Sequence, residues 1–226
     1  MTLAERWRAV TARVAAACER DGRPAAEVTV VAVSKTHPAD AIREALAAGA
    51  VDFGENYAQE LAGKAAELAG AGPIRWHFIG RLQRNKARLI AGKAALIHAV
   101  DSADLATEIA RRAGGAVQPI LLAVNLGGEA SKGGVTLDDA PAVARAVSAV
   151  AGISLDGLMT MPPPDDDPEA SRPHFLALRA LRDRLADQLG RPLPVLSMGM
   201  SHDFEVAIAC GATHVRIGTA IFGSRA

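Results

Sequence analysis

The chain has 226 residues, half of them hydrophobic and 22% charged, a balance that excludes collagen-like, disordered and coiled-coil compositions and is long enough to bury a substantial core. Its 25 basic and 25 acidic residues cancel, so a broad electrostatic grip on nucleic acid or an anionic membrane, which needs clustered excess Lys and Arg, is not expected. Cys18 and Cys210 form no CxxC motif and read as reduced thiols of a cytoplasmic protein, and the charged start MTLAERWRAV, with no long apolar run behind it, predicts neither a signal peptide nor a membrane span.

Residues 2–20 read as an amphipathic helix, because Leu3, Trp7, Val10 and Val14 recur at helical spacing with Glu5, Arg6, Arg8 and Arg13 between them. Asp21-Gly22-Arg23-Pro24 stops it. The run VTVVAVS at 28–34 suits a strand covered on both faces. Pro38 opens a helix carrying Ile42, Ala45 and Leu46 on one side and ending at Gly49. The pattern then repeats. Apolar runs fall at 51–53, 75–79, 96–100, 119–124, 154–159, 194–196 and 214–217, and helical stretches at 56–68, 85–91, 103–113, 137–150, 169–189 and 204–210. Strands alternating with helices imply right-handed crossovers and a parallel sheet. Eight such units predict a single (β/α)8 TIM barrel over 1–226, with a doubly wound sheet as the alternative. The stretch MPPPDDDP at 161–168 reads as an exposed loop after the sixth strand.

In a barrel the working residues lie where strands end and βα loops begin. Those ends carry Ser34-Lys35-Thr36-His37, Gly54-Glu55-Asn56-Tyr57, Gly80, Asn125, Thr160, Ser197-Met198-Gly199-Met200-Ser201 and Arg216-Ile217-Gly218-Thr219. The loops after strands seven and eight are the recurrent phosphate site of this fold, and here both combine Gly with hydroxyl residues. The competing reading makes Gly199 and Gly218 tight-turn residues and Ser201 a helix cap. Lys35 ends a strongly apolar strand, so its ammonium is expected at the barrel mouth, where partial burial makes a usable amine nucleophile. A mouth lysine facing a phosphate cradle suggests a phosphorylated aldehyde held as an imine: pyridoxal 5'-phosphate (PLP), or the substrate of a sugar-phosphate lyase. Arg216 alternates with Val215 and Ile217, points inward and needs a partner. That partner is the PLP ring nitrogen, left unprotonated by a permanent donor, or a carboxylate, Glu55 or Asp203.

His77, between Trp76 and Phe78, reads as a core histidine rather than an acid–base group. Asn56 either touches the ring or caps the following helix. His37 reads as exposed, and His202-Asp203 as a capping feature. Lys132, flanked by glycines, is a second aldehyde-reactive candidate. No HxxxH or HxH spacing supports zinc, and no GxGxxG or GxxxxGK[ST] supports a nucleotide site.

The runs VAVSKTHPADAI, FGENYAQE, WHFIGRLQRNK, GLMTM, LSMGMSHDFEVAI and THVRIGTAIFG resemble the PLP homeostasis proteins, the YggS/PROSC family, over about residues 28 to 225. The resemblance implies a barrel like the N-terminal domain of alanine racemase. It implies a Schiff base between PLP and Lys35, and phosphate binding by Ser197 with the Gly199-Met200-Ser201 turn and by Gly218 with Thr219. It places Arg216 at the pyridine nitrogen and Asn56 close to the cofactor. Arg81 stands where the family commonly has proline or a small residue, while Lys132 is retained. The only tyrosine is Tyr57, and the C-terminal domain that gives racemases a second acid–base is not expected. The implied protein is a monomeric, non-catalytic carrier and regulator of PLP, with PLP-dependent apoenzymes as candidate partners. The alternative is a racemase-like PLP enzyme.

Overall fold

Every strand of the sheet is hydrogen-bonded in parallel to the next in sequence, and the last returns to the first. The structure, a computed structural model, describes residues 1–128 and 133–223. Strands β1 (Thr29–Val33), β2 (Asp52–Glu55), β3 (Arg75–Phe78), β4 (Leu96–Val100), β5 (Gln118–Ala123), β6 (Ile153–Met159), β7 (Val195–Met200) and β8 (His214–Ile217) form the closed barrel. Helices α1 (Leu3–Arg20), α2 (Ala39–Ala47), α3 (Ala58–Glu67), α4 (Ala87–Ile90), α5 (Ala103–Arg112), α6 (Ala140–Ser148), α7 (Arg172–Leu189), α8 (Phe204–Ala209) and α9 (Thr219–Phe222) surround it. The doubly wound alternative is thereby excluded.

Most of the apolar core lies between this barrel and its helices. On α7, Phe175, Leu178, Leu181 and Leu185 recur three and four apart and are all buried, the stripe a helix needs to seat on a sheet. Helix α1 starts with a capping box, in which the Thr2 hydroxyl accepts from Glu5 N–H and the Glu5 carboxylate accepts from Thr2 N–H. It buries the predicted Leu3, Trp7, Val10 and Val14. Arg6 donates to the Ile221 carbonyl at 2.6 Å, tying α1 to the turn after β8. Arg23 donates to the carbonyls of Ile208 and Ala212 at 2.9 and 3.0 Å.

Two strands differ from the sequence expectation in a way that matters for the site. β2 runs 52–55 rather than 51–53, and β7 runs 195–200 rather than 194–196. Both extensions consist of residues that hydropathy reads as loop: Gly54 and Glu55, and Ser197 through Met200. They remain in the sheet because their backbones pair with neighbouring strands, Glu55 opposite Phe78 and Met200 opposite Arg216. Their polar side chains are therefore buried instead of facing water, Glu55 between the barrel and α3 and Ser197 inside the barrel. The expected helix at 85–91 splits into a 3-10 turn, Arg84–Lys86, and the short α4.

Gly199 is required where β7 meets α8. Its φ is +90°, and a Cβ there would lie 2.5 Å from the Ala207 Cβ and 3.0 Å from the Phe204 Cα. Backbone strain and overpacking then add, so Gly199→Ala is expected to destabilise the fold by about 2–4 kcal/mol. Urea unfolding of the variant measures this, and a change under about 0.5 kcal/mol would contradict the packing described.

Candidate functional site

A cavity of about 400 Å³ opens at the C-terminal ends of the strands, a volume suited to a small organic ligand. Lys35, Asn56 and Arg216 line it together with Met200, Ser201, Gly218 and Thr219. Ile79, Met159 and Met161 supply apolar wall. Segments at the ends of six strands, distant in sequence, thus meet at one concave surface.

Lys35 lies two residues past the end of β1 and is half-buried. Both its neighbours are pinned. The Ser34 hydroxyl donates to Glu55 Oε1 at 2.7 Å, and the Ser34 carbonyl accepts from Lys64 Nζ at 2.7 Å. The Thr36 N–H donates to Glu60 Oε1 at 2.6 Å, with Thr36 itself in the left-handed region at φ 66°. Lys64, buried on α3, joins the two carboxylates, donating to Glu55 Oε1 and Glu60 Oε1 at 2.7 Å each. Burial pushes the Glu55 carboxyl up from its ordinary value, against the hydrogen bonds of Lys64 and Ser34. The strained turn at Thr36 is held by a charged clamp behind it, and the clamp sets where the Lys35 backbone leaves the sheet.

Arg216 points inward from β8 and is buried. Its Nη1 donates to Ser197 Oγ at 2.7 Å and its Nη2 to the Thr160 carbonyl at 2.9 Å. Both acceptors are neutral. The carboxylates considered from sequence are engaged elsewhere: Glu55 pairs with Lys64, and Asp203 accepts from Ser171 Oγ and Met200 N–H. Burial lowers the Arg216 guanidinium to about 10, partly offset by Asp203, which still leaves it cationic at neutral pH. A buried cation beside a cavity, satisfied only by neutral oxygens, suits a ligand carrying an acceptor.

Also lining the cavity, Gly218 N–H donates to Ser201 Oγ at 3.3 Å, bringing the loops after β7 and β8 together. The amides of Thr219 and Ala220 open α9 and have no intrahelical acceptor, as at any helix start. These donors and the Ser201 and Thr219 hydroxyls make the chemistry of this wall suitable for phosphate oxygens.

The remaining predicted residues fall out as follows. Ser197 does not border the cavity: it is fully buried beneath it, with its hydroxyl on Arg216 and on His98 Nδ1. Because β7 continues to residue 200, Ser197 lies inside the barrel rather than in the turn. Asn56 does not cap α3, whose N-cap is Tyr57. It is set against Gly80, where a Cβ would come within 2.1 Å of the Asn56 carbonyl oxygen. His37 is half-buried rather than exposed, stacked on Phe222 at 5.0 Å. His202 borders the cavity and bonds the Asp166 carbonyl of the acidic loop. His77 is a core histidine bonded on both nitrogens. Lys132 lies outside the described residues. Among the described residues no group of three or more His, Cys, Asp or Glu is arranged to hold a metal ion. Sequence reading missed Lys64, Glu60 and His98. Only the Glu60/Lys64 spacing of four signalled anything, and such a pair ordinarily marks a solvated helix face.

The interior histidines set an acid limit on stability. His214 lies 5.9 Å from His77 and 6.2 Å from His98 between ring centroids. Burial and the charge of His77 lower it to about 4 from an ordinary 6.5. Between those values the unfolded chain binds a proton that the folded one does not. Stability is therefore complete above pH 6.5 and falls by roughly 3 kcal/mol as pH drops through 4. Burial lowers His98 in the same direction. Urea midpoints at pH 7 and pH 4.5 test this, since a flat profile would contradict it.

Residues 8–226 match the family described as alanine racemase, N-terminal domain. The pyridoxal phosphate homeostasis protein of Aquifex aeolicus is 45% identical, covering 100% of this chain and 99% of that protein. The protein of the same name from Pseudomonas aeruginosa is 48% identical, covering 99% and 96%. The structure of PipY from Synechococcus elongatus with PLP bound matches with a TM-score of 0.85 at 37% identity, covering 98% of this chain and 100% of that one.

Proposed function

The chain belongs to the pyridoxal phosphate homeostasis protein family, and on that basis we propose that it takes up PLP in the mouth cavity, covalently through Lys35, and serves vitamin B6 balance as a carrier and regulator without catalysis of its own. The observation that carries this reading is that Lys35 and Arg216 line one cavity together with Ser201, Gly218 and Thr219. PLP supplies an aldehyde that bonds to a primary amine and a ring that can draw electrons from what is attached to it.

The residues of this chain assign themselves to its parts. Lys35 offers the amine, positioned by the clamp behind Ser34 and Thr36. Ser201, Gly218 and Thr219 offer the phosphate donors, with Met200 and Asn56 beside the ring. Arg216 offers hydrogens and no acceptor, so a ring nitrogen facing it stays without a proton and the ring withdraws electrons weakly. That favours holding over turnover. Tyr57 is 60% exposed and lines a neighbouring groove with Arg81 and Arg84 instead of the Lys35 cavity, so it is not set to act as a second acid–base. Ser197, beneath the cavity, acts through Arg216. Among the described residues no helix is long and apolar enough to cross a membrane. We place the protein in the cytoplasm, as a monomer that exchanges PLP with apoenzymes.

The test is peptide mass spectrometry after incubation with PLP and borohydride reduction. A pyridoxyl adduct on the Lys35 peptide is expected. An adduct confined to other lysines, or none, would sink the reading, and sustained racemisation of L-alanine by the loaded protein would overturn its non-catalytic part.

A further inference from the structure

Beneath the cavity the barrel interior holds a line of polar side chains where most barrels pack aliphatic ones. It begins at the N-terminal ends of β2 and β3, where Arg75 donates to both oxygens of Asp52 at 2.7 and 2.5 Å. Asp52 Oδ1 is 2.8 Å from His77 Nε2, and His77 Nδ1 is 2.9 Å from His98 Nε2. His98 Nδ1 is 2.8 Å from Ser197 Oγ, which accepts from Arg216 Nη1 at 2.7 Å. Asp52, His77, His98, Ser197 and Arg216 are all buried, and only Arg75 reaches water.

Proton bookkeeping gives this line a direction. Burial opposes ionisation of Asp52, but hydrogen bonds from His77 and Arg75 outweigh it and hold the carboxyl at about 2. An ionised carboxylate only accepts, so His77 Nε2 carries a hydrogen. With the rings neutral, His77 Nδ1 is a lone pair and His98 Nε2 must donate to it. His98 Nδ1 is then a lone pair and takes the Ser197 hydroxyl hydrogen. The lone pairs of Ser197 Oγ are left turned toward Arg216. One tautomer assignment satisfies every link, and each donor points down the barrel to Asp52. Protonating His77 would reverse the inner links: His98 would donate to Ser197 Oγ, which already takes the Arg216 hydrogen.

We propose that Asp52, His77 and His98 are positioning residues, a one-way hydrogen-bond chain that fixes the Ser197 hydroxyl as an acceptor and so holds the Arg216 guanidinium in place for the PLP ring nitrogen. The proposal rests on PLP occupying the mouth cavity, but the chain itself does not. Its reach is longer than one contact, since it links the cavity floor to an ion pair at the opposite end of the barrel.

The experiment has two arms. In the unliganded protein at pH 7.5, long-range ¹H–¹⁵N spectra of the histidine rings should show His77 and His98 both as the Nε2–H tautomer. A hydrogen on His98 Nδ1, or a doubly protonated His77, overturns the chain whether or not PLP binds. In the PLP-loaded protein, His98→Phe should shift the near-visible absorption maximum and weaken PLP retention about 10-fold, the size of one lost positioned hydrogen bond. His98→Gln, which keeps one donor and one acceptor, should restore both in part. A band and affinity unchanged in folded His98→Phe would overturn the positioning role, and a merely structural histidine would lower the unfolding midpoint without moving the band. Failure of the wild type to bind PLP would instead overturn the function proposed above, leaving the tautomer result standing.

Discussion

Lys35→Ala is expected to abolish the near-visible band of the PLP-loaded protein and to cut PLP retention on desalting by more than about 100-fold, or about 3 kcal/mol. The residual affinity would come from the donors around Ser201, Gly218 and Arg216, which the substitution leaves untouched. The fold should hardly notice. Lys35 sits half-buried at the rim, and the bonds that hold the turn around it come from Ser34 and Thr36, so truncating a side chain outside the core is expected to change stability by less than about 0.5 kcal/mol. Absorbance titration and thermal unfolding on one preparation separate the two effects. A band that survives in the variant would mean that another amine captures PLP, and the assignment of Lys35 would fall.

Lys64→Met should have the converse profile, a large loss of stability from a residue that does not touch the cavity. Lys64 Nζ is bonded to Glu55, Glu60 and the Ser34 carbonyl, and Glu55 is fully buried, with one oxygen, Oε2, without a partner among the described residues. Removing the ammonium leaves a buried carboxylate unpaired, a change that typically costs about 3–5 kcal/mol. The sign of its pH dependence follows from Glu55, whose folded-state value is already raised by burial and would rise further. A carboxyl that keeps its proton longer when folded is most favourable below its unfolded value of 4.5 and loses that advantage as pH rises. The deficit relative to wild type should therefore be smallest near pH 4.5 and largest at neutral pH. Glu55→Gln combined with Lys64→Met should recover most of it, because the fully buried charge is gone and the Glu60 carboxylate that remains is partly exposed and keeps the Thr36 N–H. Since the clamp also sets the turn at Thr36, PLP retention should fall in the single variant and not in one that loosens a remote helix. A neutral-pH loss under about 1 kcal/mol would refute the clamp.

The barrel was legible because each strand and helix is a local pattern. Alternating apolar runs and amphipathic stretches, with strand starts 19 to 42 residues apart, leave few topologies, the closed barrel first among them. The mouth residues were legible for the same reason. Once strand ends are located, Lys35, Asn56, Ser201 and Arg216 are the chemically able side chains there, and Gly218 a backbone donor. Ser197 shows where this fails. Hydropathy ended the seventh strand at residue 196, whereas sheet pairing carries it to Met200 and moves that hydroxyl from the wall of the cavity to the support beneath it.

Local patterning, then, determined on its own that this chain alternates eight strands with helices and which loops would crowd the mouth of a barrel, while closure in place of a doubly wound sheet was decided by the tertiary structure. What surrounds those residues was decided only in three dimensions. Lys64 reads as a solvated helix lysine until β2 brings Glu55 to it, and His77 and His98, 21 positions apart, share a hydrogen bond that no spacing rule encodes. The physical reason is burial. A buried polar side chain must find its partner on whatever element packs against it, helix against strand for Lys64 and strand beside strand inside the barrel for the histidines, and that packing is set by the closed fold, not by neighbours along the chain.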